Sequence, residues 1–538
     1  MARFNIRTAR AAPASPVAST GERTITAQGG IGHLRDAKSE LFLLAVTNMV
    51  GQDTFYESGG QRDDRYTTLV HQLAVEDPAW TSGLLAWLRG DGNLRTAALV
   101  GAAEFVRARL DATRGDAGPG AQAAVESQGA GWNRRVIASV LQRADEPGEM
   151  LAYWTSRYGR RIPKPVKRGI EDAVGRLYTE KSLLKYDSAS KGFRFGDVIE
   201  LVHPAPRALW QGDLFEHAID RRHKRDKPTP ESLRLLHARE AIGEWPVAQR
   251  RPLLDRPDAA VYLQHAGMTW EALAGWLQGP MDRKAWEAVI PSMGYMALLR
   301  NLRNFDEAEV SDEVAEQVAK RLADPEQVAR SRQFPFRFLA AYQHAPSLRW
   351  GHALETALGY SLANVPALPG RTLVLVDRSG SMFGGLSAQT QLNRADSAAV
   401  FGTAVALRAE SADLVQFGTR SEPVPLRRGE AVLRVLDRFR ALGGTETSEA
   451  VRSHYRGHDR VLIVTDEQAA YSHHGDPTEQ VPDRVPVYTW NLAGYRAGHG
   501  PSGSRARHTF GGLTDHAFRM VPLLEAGRDA RWPWHGSH

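Results

Sequence analysis

Between Asn364 and Gly370 the hydrophobic period of this chain changes, and that change limits the fold more than any other feature. The stretch Asn364-Val365-Pro366-Ala367-Leu368-Pro369-Gly370 carries two prolines and a closing glycine, strong punctuation between domains. Before it, apolar residues recur at helical spacing, starting with Leu41, Leu44 and Ala45. The same spacing predicts helices over 66–74, 81–88, 94–110, 134–143, 147–158, 166–177, 195–202, 231–242, 285–302 and 312–322. Convincing strand alternation is absent from this half. Helices of similar length in series, with short breaks, fit an α-solenoid of roughly seven helix pairs at about 40–47 residues each. An irregular all-α domain is the alternative. After the linker, Thr372-Leu373-Val374-Leu375-Val376 reads as a buried strand, as do 414–417, 461–464 and 485–492. Helical spacing fills 393–408 and 431–439 between them. Strands alternating with helices predict a doubly wound α/β domain with a parallel sheet, whose ligands bind at the carboxyl ends of the strands.

The first of those carboxyl ends reads Asp377-Arg378-Ser379-Gly380-Ser381. One carboxylate and two hydroxyls at alternate positions supply hard oxygen donors, and Gly380 lets the loop turn. Thr445, in Gly443-Gly444-Thr445, and Asp466, closing Val464-Thr465-Asp466, would converge at the same sheet edge. Taken singly, an aspartate at a strand end is often only a cap or loop residue. Together Asp377, Ser379, Ser381, Thr445 and Asp466 resemble the metal-ion-dependent adhesion site of von Willebrand factor A domains (DxSxS, a later Thr and a later Asp). Oxygen-only donors suit Mg²⁺ first, with Mn²⁺ or Ca²⁺ as alternatives. In that family the metal stays short of one ligand, which a partner's carboxylate or a solvent anion supplies. The resemblance therefore implies a binding module rather than an enzyme.

Basic residues gather upstream, between 157 and 194. Eleven of them (Arg157, Arg160, Arg161, Lys164, Lys167, Arg168, Arg176, Lys181, Lys185, Lys191 and Arg194) face four acidic residues, a local +7 in a chain whose formal net charge is +6. A second knot is Arg221-Arg222-His223-Lys224-Arg225-Asp226-Lys227. Tyr153, Trp154, Tyr158, Tyr178, Tyr186, Phe193 and Phe195 interleave with the charge. Cations for phosphates plus rings for bases suit single-stranded nucleic acid; the alternative is a solvated face over core aromatics.

Several segments then carry a family resemblance. Thr54-Phe55-Tyr56-Glu57, Leu94-Arg95-Thr96-Ala97-Ala98-Leu99, His203-Pro204-Ala205-Pro206, Ala297-Leu298-Leu299-Arg300-Asn301-Leu302 and Phe334-Pro335-Phe336-Arg337-Phe338-Leu339 resemble motifs of the TROVE module. A TROVE module followed by a von Willebrand factor A domain is the order found in Ro autoantigen proteins, here in a chain whose Ala- and Arg-rich usage looks bacterial. The resemblance implies three segments: an N-terminal arm over 1–35, a TROVE-like helical-repeat RNA-binding domain over 36–363, and an A-like domain with the metal site over 370–538. It implies HEAT-like repeats closing into a ring. It also implies Y-like small noncoding RNA on an outer basic surface, single-stranded 3′ ends of misfolded RNAs in the central hole, and a Y-RNA tether to polynucleotide phosphorylase. Arg160, Arg161, Lys164, Lys167, Arg168, Lys181, Lys185, Lys191 and His203 are the RNA candidates. Lys185-Tyr186 and His203-Pro204 fill the family's Lys-Tyr and His-Pro slots, about one residue further apart than its pattern. The basic residue expected after the pair is replaced by Asp187-Ser188-Ala189-Ser190, with Lys191 or Arg194 as substitutes. The alternative for His203 is a buried, hydrogen-bonded histidine beside a turn.

Composition narrows the rest. The cysteine count of 0 excludes disulfides, iron–sulfur sites and thiol catalysis. The first residues lack the apolar run of a secretory signal, and the longest mostly apolar stretch, 41–50, is half a membrane span. A cytoplasmic protein that is not an enzyme is the expectation. Two short motifs are read as chance: Arg114-Gly115-Asp116, an integrin-type tripeptide, and His473-His474, whose adjacent rings point apart. Two other functions remain as rivals. One is a metal-dependent protein-binding module with the helices as scaffold. The other is a chelatase-type A-domain subunit, for which no Walker-type loop is present.

Overall fold

A computed structural model describes residues 12–535 apart from 48–50, 114–127, 129–130, 346, 364, 388–389, 428, 504 and 513–515, so Arg114-Gly115-Asp116 lies outside the described residues. The chain divides into two compact units. One comprises Met1–Leu69, Phe334–Leu339 and Leu358–His538; the other comprises Val70–Gln333 and Ala340–Ala357.

The first unit is built on a sheet. An N-terminal hairpin, β1 (Ser19–Ile25) and β2 (Ile31–Arg35), precedes it. The main strands are β3 (Leu368–Asp377), β6 (Ala409–Phe417), β8 (Arg460–Thr465), β9 (Val487–Asn491) and β11 (Arg507–Gly511), all parallel. The antiparallel β7 (Ser421–Pro423) closes one edge, giving the order β11-β9-β8-β3-β6-β7. Short β4 (Gly385–Ser387) and β5 (Thr390–Asn393) pair apart from it. Strand β3 lies at the centre because Leu373–Val376 are apolar on both faces, as a strand covered on both sides must be. Its neighbours β6 and β8 run with it, so Asp377, Phe417 and Thr465 emerge side by side at one edge.

The arm expected over 1–35 is not peripheral where it is described, and the absence of strands before the linker does not hold. Strand β2 pairs with β1 on one side and with β10 (Ala497–Gly498) on the other. Its charges are buried rather than solvated. Arg35 Nη2 donates to both carboxylate oxygens of Glu467 at 2.7 and 2.8 Å, and His33 Nε2 lies 3.2 Å from Asp476 Oδ2. Breaking such a buried pair from one side costs about 3–5 kcal/mol. The helix Ala37–Thr47 also belongs to this unit: Leu41–Val46 are all buried, and it packs against β11. The division at residue 36 therefore does not match the compact units.

The second unit is helical. Its described helices include Pro78–Arg89, Arg95–Ala112, Trp132–Val140, Glu146–Tyr158, Lys164–Leu177, Glu180–Tyr186, Phe195–Val202 and Leu209–Arg222. Successive helices pair closely. Gly169 shows how: a Cβ there would lie 2.6 Å from Ile137 Cβ, so only glycine lets the Lys164–Leu177 helix approach Trp132–Val140. The helix expected over 285–302 is broken, because Pro291 and Gly294 interrupt it into Arg283–Val289, Ile290–Ser292 and Tyr295–Arg300. Early and late parts of the array meet. Asn93 Nδ2 donates to Arg332 O at 2.9 Å, and Arg332 Nη1 donates to Gly90 O at 3.0 Å.

Candidate functional site

The structure brings the oxygen donors to one sheet edge. Asp377 ends β3, fully buried, and its two oxygens are held differently. The Ser379 amide donates to Oδ1 at 2.8 Å, while the Thr465 hydroxyl, which the sequence reading did not single out, donates to Oδ2 at 2.6 Å. Ser379 Oγ and Ser381 Oγ are 3.2 Å apart, and both serines are buried. Thr445 is buried in a loop tied to the first one: Gly380 N donates to Gly443 O at 2.6 Å. The left-handed turn that needs glycine is at Gly443, with φ 82°, not at Gly380. Asp466 Oδ1 accepts from Gln468 N at 3.0 Å, but its Oδ2 is buried with no hydrogen-bond partner.

The electrostatics are those of a site that wants a cation. Burial first, and the Asp466 charge second, push the Asp377 carboxyl well above the usual carboxylate range. Asp466 is pushed up by burial, with the nearby Arg394 guanidinium acting against it. Two buried carboxylates within electrostatic reach of each other, two serine hydroxyls on the loop after the first and an orphaned carboxylate oxygen fit a hard divalent ion. Among the described residues no group of three or more His, Asp or Glu is gathered for a metal; this cluster instead combines two carboxylates with hydroxyls. His473 and His474 lie in an exposed turn, with His473 Nδ1 3.3 Å from the Tyr471 hydroxyl.

The basic run of the helical unit sorts into two groups. Arg157, Arg194 and Lys191 are consumed by carboxylates: Arg157 reaches Glu104, Arg194 the buried Asp187, and Lys191 both Asp145 and Glu149 at 3.4 and 3.3 Å. Arg176 donates to the carbonyls of Ala138 and Leu141. By contrast, Arg160, Arg161, Lys164, Lys167, Arg168, Lys181 and Lys185 have no carboxylate partner among the described residues. Lys164 and Arg168 are exposed at i and i+4 on one face of their helix, while Lys167 is half-buried at the margin of the buried Ile170 and Val174. Arg160 and Arg161 are exposed in the loop just before it, and Lys181 and Lys185 are exposed at i and i+4 on the next helix.

Most of the interleaved aromatics are core, not base platforms. Trp154, Tyr178 and Phe195 are buried, and Tyr178 stacks on Phe195 at 3.8 Å. The Tyr153 and Tyr158 hydroxyls donate to the buried Glu104 at 2.5 and 2.6 Å, with His71 Nε2 2.6 Å from the same carboxylate. Those bonds hold Glu104 below its ordinary range although burial alone would raise it.

With this geometry in hand, the comparisons are specific. The family model for the TROVE domain matches residues 267–349, which include the 297–302 and 334–339 motifs. The solved structure of a Ro (Rsr) protein from Deinococcus radiodurans superposes with a TM-score of 0.59 at 18% identity, covering 91% of this chain and 100% of that one. The chain thus contains a segment that matches the TROVE domain and shares its fold with that Ro protein. Telomerase protein component 1 of Rattus norvegicus is 34% identical over 117 residues, and that of Mus musculus 33% over 123, each match covering 4% of the relative. The chain thus spans only a small part of those curated relatives.

At the Lys-Tyr pair that resembles the Ro pattern, Lys185 is exposed, and its Nζ lies 5.1 Å from the Tyr186 ring centre. His203 is exposed, not buried, and caps its helix in the left-handed region at φ 53°. Neither Lys191 nor Arg194 is a free substitute for the missing basic residue, since both are ion-paired. Asp187 is structural: its Oδ1 accepts from Phe195 N at 2.9 Å.

Proposed function

We propose that this protein binds RNA through the unpaired basic surface of its helical unit. It takes Y-like small noncoding RNA and the single-stranded ends of misfolded RNAs, in cytoplasmic RNA quality control beside an exoribonuclease of the polynucleotide phosphorylase type. The observation that carries the reading is the set of seven cationic side chains that have neither a carboxylate nor a carbonyl partner among the described residues, in a chain that pairs the other four cations of the same run. An unpaired guanidinium or ammonium exchanges its counterion for a phosphate, and the released counterions drive binding. His203 stands exposed nearby in sequence as a donor to phosphate or base. The meeting of residues 90–93 with 332 supports a closed array, whose hole would admit a single strand and exclude a duplex. The protein acts by capture, not by bond chemistry.

Asp377, Ser379, Ser381, Thr445 and Asp466 are the residues that would hold a divalent cation, Mg²⁺ first. Bound there it would supply charge neutralisation to the two carboxylates. Asp377 and Asp466 would hold it from two strand ends and Ser379 and Ser381 from the loop after β3, while Thr465 keeps Asp377 aimed. The orphaned Asp466 Oδ2 also favours the second reading, a metal-dependent grip on a partner's carboxylate.

Protein purified from its own cells under RNase inhibition separates the two. A discrete small structured RNA at near-stoichiometric yield is the expected result. Protein free of RNA, with partner capture abolished by EDTA and by Asp377→Ala, would replace the RNA reading with the metal-dependent one.

A further inference from the structure

The N-terminal hairpin does more than bury its own charges: it grips the segment that follows the donor Asp466. That segment runs from Glu467 to Ala470, and each of its residues is held from the hairpin. Arg35 Nη2 donates to both carboxylate oxygens of Glu467 at 2.7 and 2.8 Å. The Ala27 amide donates to Gln468 Oε1 at 2.8 Å, and Thr26 Oγ1 donates to Ala469 O at 2.7 Å. Gly29 pairs with Ala470 in an isolated antiparallel bridge. All of these residues belong to the same compact unit.

The gripped segment in turn sets the donors. Glu467 sits in the left-handed region at φ 62°, where a residue with a Cβ is seldom found. From there its amide donates back to Thr465 Oγ1 at 3.0 Å, and that hydroxyl donates to Asp377 Oδ2 at 2.6 Å. The next amide, of Gln468, donates to Asp466 Oδ1 at 3.0 Å and leaves Oδ2 without a partner. The Ala470 amide donates to Thr445 O at 2.9 Å. Asp377, Asp466 and Thr445 are thus all tied by hydrogen bonds to the segment that the hairpin holds.

A left-handed glutamate persists only where its surroundings over-determine it. Here the carboxylate is fully buried and held from both sides, by Arg35 and by Asn491 Nδ2, which donates to Oε2 at 2.5 Å. We propose that Arg35 is a positioning residue for the cation site: acting through Glu467, it fixes the turn that aims Asp466 and the Thr465 hydroxyl. The hairpin is then a working part of the site, and a cation bound there strengthens the docking of the hairpin as much as the hairpin strengthens its binding. This rests on the cation reading given above.

Mn²⁺ alone is the probe, with binding followed in the full chain by loss of the free-ion paramagnetic resonance signal. Removing a group that orients metal ligands from behind commonly weakens metal binding by about 10- to 100-fold. Arg35→Met combined with Glu467→Gln, which removes both buried charges together, is therefore expected to raise the Mn²⁺ Kd by about tenfold or more. His33→Leu is the control. It cuts a different tie of the same hairpin, to Asp476, which caps the short helix Pro477–Gln480, so it should lower the thermal midpoint yet keep the wild-type Kd. Thr26→Val guards against a folding defect in the double variant and should also weaken Mn²⁺ binding, by less than the pair does. An equal loss of affinity in His33→Leu, or a wild-type Kd in either the double variant or Thr26→Val, would overturn the positioning role while leaving the site. No Mn²⁺ binding in wild type, or binding unaffected by Asp377→Ala, would overturn the cation reading itself.

Discussion

Replacing Lys164, Lys167 and Arg168 together by Ala tests whether unpaired charge is what binds RNA. None of the three has a carboxylate partner among the described residues, with Lys164 and Arg168 exposed and Lys167 half-buried, so each is available to meet one phosphate. On a single strand each neutralised phosphate contributes about 0.7 to the slope of log affinity against log salt, so the variant's slope should be shallower by about 2. Between 50 and 200 mM salt, wild type should then lose roughly 15-fold more affinity than the variant. The control is Lys191→Ala with Arg194→Ala. Their charges are already met by Asp145, Glu149 and Asp187, so this variant should keep the wild-type slope while melting earlier. Fluorescence anisotropy of a 3′-tailed RNA over a KCl series reads all three proteins. An unchanged slope in the triple variant, or an equal drop in the control, would refute the distinction between paired and unpaired cations.

Other expectations follow from buried groups. Gly169→Val should destabilise the helical unit by about 1–3 kcal/mol through overpacking against Ile137, read as a lower thermal midpoint; an unchanged midpoint would show that the two helices can part freely. Glu104→Ala should cost roughly 2–5 kcal/mol, because it leaves the Tyr153 and Tyr158 hydroxyls without their acceptor, and Glu104→Gln should cost less. Burial first, and Arg507 second, lower His508 from 6.5 to about 4. The unfolded chain therefore binds more protons between those values, so this contribution is complete above pH 6.5 and is lost as pH falls toward 4, by up to roughly 3 kcal/mol. Denaturant midpoints from pH 7 to 4.5 should fall more steeply in wild type than in His508→Gln; parallel curves would contradict it.

What could be read from sequence was what periodicity encodes. The apolar strands at 372–376, 414–417 and 461–464 and the helices at 195–202 and 312–322 stand where the pattern puts them. The donor set at the sheet edge was legible because parallel topology brings strand ends together whatever lies between them. Strands whose burial is paid in polar pairing were not legible. Strand β11 reads Arg507-His508-Thr509-Phe510-Gly511, yet every residue is buried: Arg507 Nη2 donates to Thr478 O and Val481 O, and His508 Nδ1 lies 2.9 Å from Ser15 Oγ. Strand β2 hides likewise, since Arg35 looks solvated until Glu467 is beside it. The split of the basic run was equally hidden, because Asp145, Glu149 and Asp187 choose their partners in three dimensions.

The central claim is that this chain captures RNA by an unpaired end, using the free cations of its helical unit. Its most direct test is the affinity of one structured RNA with and without a single-stranded 3′ tail, measured at low salt on the same protein preparation. The account predicts that the tailed RNA binds at least about tenfold more tightly, a difference of about 1.4 kcal/mol, and that the advantage shrinks as salt rises. Equal affinity for the two RNAs, or no salt-sensitive binding of either, would contradict it.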